Sequence, residues 1–157
     1  MTLTAEEADL VRASFRVVAQ DGQQAAARFY EILFEQAPAT RRLFVNDMGR
    51  QGAELMSKLG LIVAELQNVD GLRPMLEDLA LRHVAYGVKP EHYPLVGDAL
   101  LAMLAEVLGE AFTPETRAAW AKAYGALSAL MIASAYSHED AIQAHGPLRQ
   151  ARRRGAE

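Results

Sequence analysis

Apolar residues recur at intervals of three and four along almost the whole chain, and no run of Val, Ile, Thr or aromatic residues alternates long enough to make a strand. That period predicts an all-α fold. Thr4 with Glu7 has capping-box spacing and opens a first helix carrying Val11, Phe15 and Val18 on one face, ended by Asp21-Gly22. A second helix places Ala26, Phe29, Tyr30, Leu33 and Phe34 on its apolar side until Pro38, which begins a short third segment ending at Leu43-Phe44. Val45 to Gly49 reads as a loop. From about Gln51 a longer helix aligns Leu55, Leu59, Ile62 and Leu66 behind that polar first residue and ends near Asn68 to Gly71. Pro74 suits the first turn of the next helix, whose face reads Leu72, Leu76, Leu79 and His83, with Gly87 as its end. Pro90 starts a helix with Val96, Leu100, Leu104 and Val107, closed by Gly109. Thr113-Pro114 then caps a last helix with Trp120, Tyr124, Leu127 and Met131 inward, and the pattern fades after His138.

Six or seven helices therefore share one core. A chain of 157 residues is the size of one domain, expected over 1–140, with a loose tail over 141–157 that contains Arg152, Arg153 and Arg154. Sixteen basic against twenty acidic side chains leave a formal charge of -4, so no global field draws the protein to nucleic acid, and the three arginines read as a solubilising end. The longest weakly polar stretch, Ala123 to Ser137, is too short and too rich in Gly, Ser and Ala to span a membrane. The start Met1-Thr-Leu-Thr-Ala-Glu-Glu has neither a basic segment nor an apolar run, so the expected compartment is the cytoplasm.

The chain has no cysteine, which removes disulfides, thiol nucleophiles and thiolate zinc sites, and leaves metal chemistry to His, Asp, Glu or a cofactor. No Gly-rich phosphate loop, His-Glu-x-x-His pair, acidic calcium loop or Gly-x-Ser-x-Gly elbow occurs. Of the four histidines, His92 beside Glu91 and the late His138 and His145 read as solvated. His83 differs because it follows Leu76 and Leu79 on an inward face, with no second ligand one turn away. Two readings follow. In one, His83 is a helix C-terminal histidine that interacts with the last carbonyls. In the other it is a single axial ligand, which can hold a metal only if a macrocycle supplies four more nitrogens, that is, a haem.

The run Arg82-His83-Val84-Ala85-Tyr86-Gly87-Val88, followed by His92-Tyr93-Pro94-Leu95-Val96-Gly97, resembles the proximal region of bacterial single-domain globins and of the globin half of flavohaemoglobins. Phe29-Tyr30, Leu43-Phe44, Gln51 and Leu55 resemble the distal side in order and spacing. Ala111-Phe112-Thr113-Pro114-Glu115-Thr116-Arg117-Ala118-Ala119-Trp120 is similar to the start of the last helix in neuroglobin-like proteins. The resemblance covers most of the chain.

It implies a globin fold around haem b, with His83 on the iron and Phe44, Tyr93, Val88 and Val96 in contact with the cofactor. Tyr30, Gln51 and Leu55 would face the gas on the other side, O2, CO or NO. Tyr30 is the stronger donor, since O2 on ferrous iron gains partial negative charge whereas CO gains little. The loop after Phe44 varies in length in these globins, and a shifted register would put Glu54 or Leu55 opposite the iron. Flavohaemoglobins also tie the proximal histidine to a tyrosine and a glutamate. Tyr93 matches the tyrosine, but Ala135 stands where the glutamate belongs, with Glu139 one turn later.

Two function classes are implied: reversible binding of oxygen for storage, delivery or sensing, or nitric oxide dioxygenase activity. No flavin or nicotinamide segment is expected after residue 157, and sustained NO turnover is then expected to need a separate reductase. A haem-free helical interaction module or regulator is the third reading. Monomer and homodimer are both compatible with the faces of the last two helices.

Overall fold

The computed structural model describes residues 3–45 and 47–144, without the side chains of 136–144. They form helices α1 (Ala5–Ala19), α2 (Gly22–Gln36), α3 (Met48–Ala64), α4 (Val69–Ala85), α5 (His92–Leu108) and α6 (Pro114–Ala144), with 3-10 turns at Pro38–Leu43 and Gly109–Ala111. Among the described residues there is no strand. The capping box is made in full: Thr4 Oγ1 accepts from the Glu7 N–H at 3.1 Å, and the Thr4 N–H donates to Glu7 Oε1 at 2.8 Å.

Three boundaries differ from the periodic reading. α3 starts at Met48, inside the expected loop, because the Asp47 carboxylate accepts from the Arg50 N–H at 3.0 Å and caps it. α4 starts at Val69, so Pro74 lies in its second turn instead of its first. Pro74 has no N–H to give the Asp70 carbonyl, and both residues are exposed, where solvent has access to that carbonyl. α6 runs past His138 and past the expected domain end at 140 to Ala144. The rest of the expected tail lies outside the described residues.

Val11, Val18, Leu33, Leu66, Leu76, Met103 and Leu104 are the largest fully buried side chains. α1, α2, α5 and α6 pack around them, α3 lies on α2 and α1, and α4 lies on α6. Trp120 joins α6 to α1: its Nε1–H donates to Ser14 Oγ at 2.8 Å, and that hydroxyl donates onward to the Leu10 carbonyl at 2.7 Å, so both buried polar groups are satisfied. The packing leaves one pair of neighbours apart. α3 and α4 are joined by a short link, yet neither packs along the other.

Candidate functional site

The faces of α3 and α4 that lack a helical partner are apolar. Leu55 and Leu59 on α3, Leu79 and Val84 on α4, and Phe44, Val88, Leu95 and Val96 nearby are all half-buried, although each packs against the core. Side chains of this kind are usually covered, so together they could line the seat of a flat apolar group.

His83 stands on the last turn of α4, half-buried, with Nδ1 2.7 Å from the Leu79 carbonyl. A carbonyl only accepts, so Nδ1 carries the proton and Nε2 keeps its lone pair. Burial holds the imidazole pKa below its ordinary value, against the upward pull of the Leu79 bond, which favours the neutral ring that a metal requires. This geometry is compatible with both readings of His83: one nitrogen serves a helix carbonyl, and the other keeps a lone pair.

The proximal side is tightly tied. The Tyr93 ring, buried on the first turn of α5, stacks beside the His83 ring with centroids 6.2 Å apart and planes 24° from parallel. Tyr124 Oη donates to the Tyr93 carbonyl at 2.6 Å. Its ring lies so close to Gly97 that a Cβ there would sit 2.7 Å from Cε2. Burial, then the neighbouring Tyr93 and Asp98, push the Tyr124 pKa upward, so the phenol remains a donor. Gly87, with φ of 91°, reverses the chain after α4 and lets the Val88 N–H reach the His83 carbonyl at 2.9 Å. Val88 and Val96 are half-buried, and Ala135 presents a buried methyl.

On the distal side, Tyr30 is 7% exposed and boxed by aromatics: Phe29 and Phe44 edge-on at 4.9 and 5.2 Å, and Phe34 stacked at 6.0 Å. Among the described residues its hydroxyl has no hydrogen-bond partner, which is expensive for a buried phenol unless a ligand supplies one. Burial, reinforced by Glu54, pushes its pKa up to about 12, so it stays a donor. α2 and α3 run past each other with Gly22 near Met56 and Ala26 against Gly52, where a Cβ would lie 3.0 Å from that of Ala26. Continuing one turn beyond Ala26 leads from Tyr30 toward the first turn of α3, which carries half-buried Gln51, with half-buried Leu55 following. No hydrogen bond joins Gln51 to Tyr30, and the carboxylate of exposed Glu54 is the charge that reaches the phenol.

Helical spacing marks Tyr124 only as an inward-facing residue, and nothing in the spacing marks Gly97 as a close crossing. His92, expected to be solvated, is half-buried and accepts a hydrogen bond at Nδ1. The side chains of His138, Glu139 and His145 lie outside the described residues. A separate hollow of ≈ 570 Å³ between the α3–α4 link and α6, lined by Leu66, Val69, Leu127 and Leu130 among others, lies at the far end of α4 from His83.

Known proteins share this fold. The Globin family matches residues 27–131. The flavohemoprotein of Rhizobium meliloti is 37% identical over 132 residues, which make up 82% of this chain and 33% of that relative. A bacterial globin from Campylobacter jejuni superposes with a TM-score of 0.78 at 27% identity, covering 87% of this chain and 99% of its own. An engineered carbene transferase from Rhodothermus marinus, described as a candidate nitric oxide dioxygenase, gives 0.81 at 31% identity, with 90% and 99% covered. The chain belongs to the globin family. It spans about a third of the length of the curated flavohemoproteins it matches.

The residues present fit the haem of that family. Half-buried apolar side chains, one imidazole with a free Nε2 and a buried phenol lacking a protein partner are what such a group needs on its faces. No helix among the described residues is long and apolar enough to cross a membrane.

Proposed function

We propose that this globin is a reversible binder of O2 and related diatomic gases, holding haem b through His83. When bound, ferrous haem supplies one open coordination position for a gas. The observation that carries the reading is the pairing of His83, whose Nδ1 is committed to Leu79, with the partnerless hydroxyl of Tyr30. His83 Nε2 would hold the iron through its lone pair. Phe44, Tyr93, Val88 and Val96 would shield the cofactor, and Leu55 would shape the distal wall. Tyr30 donates to a gas that carries partial negative charge, with Gln51 in support, and so distinguishes O2 from CO.

A second reading is favoured by the R. marinus neighbour and the flavohemoprotein relatives: nitric oxide dioxygenase, re-reduced by a separate reductase. Ala135 weighs against it, because a methyl in place of a carboxylate leaves the His83 imidazole less electron-rich. The test has two stages. Haem-supplemented protein is expected to show a five-coordinate ferrous deoxy spectrum and to bind O2 reversibly; absence of a Soret band rejects haem binding through His83. Sustained NO consumption at steady state with a cellular reductase fraction then decides for the enzyme, and a single turnover that stops decides for the binder.

A further inference from the structure

The turn between α4 and α5 is clasped from both sides by adjacent amides. The Val88 N–H donates to the carbonyl of His83, and the next amide, Lys89 N–H, donates to His92 Nδ1, each at 2.9 Å. In return the His92 N–H donates to the Lys89 carbonyl, also at 2.9 Å. The bond from the Lys89 N–H matches one half of the Thr4–Glu7 box at the start of α1, with an imidazole nitrogen where the glutamate oxygen accepts, while the return bond goes to a backbone carbonyl instead of a side-chain hydroxyl. Pro90 occupies the next position, where a missing N–H is harmless. Because Nδ1 accepts, the His92 ring is neutral and carries its proton on Nε2.

We propose that His92 is a positioning residue for His83, acting through this clasp; the inference rests on His83 being the ligand of the iron. The two amides flank Val88, so the torsions that aim one also aim the other. With the Lys89 amide held by α5 and the Val88 amide holding the last turn of α4, the His83 backbone has a fixed relation to α5. The residue after His92 is Tyr93, whose ring lies against the His83 imidazole. One short element thus sets both the backbone and the flank of the ligand, and removing the acceptor at His92 frees it.

The test compares the wild-type holoprotein with His92→Ala and His92→Gln, the latter retaining an acceptor oxygen at the same reach. In the carbonmonoxy form, His92→Ala is expected to speed amide exchange at Lys89 at least about fivefold, the loss of a cap. In the ferrous deoxy form it is expected to shift the iron–histidine stretching band, and His92→Gln to restore both. Faster exchange with an unmoved band overturns the proposal and leaves His83 as ligand. Absence of an iron–histidine band in the wild type overturns that reading, and the proposal with it. Imidazole nitrogen NMR of the wild type needs no variant: proton on Nε2 of His92 supports the clasp, and proton on Nδ1 refutes it.

Discussion

On one side, the polar atoms of α4, α5 and the link between them are bonded within the protein, to α4 itself, to the link and to α6; on the other, α2 brings a phenol into an aromatic box and gives it nothing to bond among the described residues. His83 Nδ1, the Tyr93 carbonyl and the amides of Val88 and Lys89 all have protein partners. Tyr30 Oη has none among the described residues. The contrast separates two tasks. A metal ligand must be aimed before its metal arrives, and hydrogen bonds to backbone do that. A discriminating donor must keep its bond for the gas, since a partner already in place would have to be displaced first.

The most severe way to break the arrangement is His83→Ala, expected to weaken haem retention at least about 100-fold, because even outer partners of a metal ligand are worth about 10–100-fold. Haem transfer to a scavenger apoprotein measures it. Next comes Tyr30→Phe. A hydrogen bond to a charged group is worth about 1.5–3 kcal/mol, so O2 release should accelerate at least about tenfold while CO release changes little. Stopped-flow displacement of both gases checks this, and equal changes would take Tyr30 out of the role.

The two close helix crossings sharpen the comparison at about 1–3 kcal/mol each, the usual penalty for overpacking. Gly97→Ala drives a methyl into the Tyr124 ring and should move the iron–histidine band with little effect on the ratio of O2 to CO release. Gly52→Ala pushes α3 from Ala26 and should do the reverse. Denaturant titration gives the stability loss in both, and spectra give the side affected.

The smallest effect is a pH dependence of the apoprotein. The folded state holds the His83 pKa below its ordinary value of 6.5, so the unfolded chain binds more protons below that value. The stability contributed by neutral His83 is present above about 6.5 and is lost as pH falls toward the folded value. Urea midpoints should therefore drop more steeply on acidification in the wild type than in His83→Ala.

Much of this was legible in the chain because helical spacing reports burial: Leu76, Leu79 and His83 announce an inward imidazole, and Thr4 with Glu7 announces a start. Two starts were misplaced for local reasons, at Asp47, whose cap the loop reading passed over, and at Pro74, where solvent tolerates a proline inside a helix. Tyr124 and His92 could not be found from spacing alone. Their partners are a backbone carbonyl in another helix and a backbone amide in a turn, and neither leaves a trace in the side-chain pattern.

Trp120, bonded to Ser14 in the interior, is the sole indole of the chain. Its emission therefore comes from a single known place. A porphyrin absorbs in the range where indole emits, so light from Trp120 should be extinguished when the pocket fills and return when it empties. The fold carries a built-in optical gauge of its own loading.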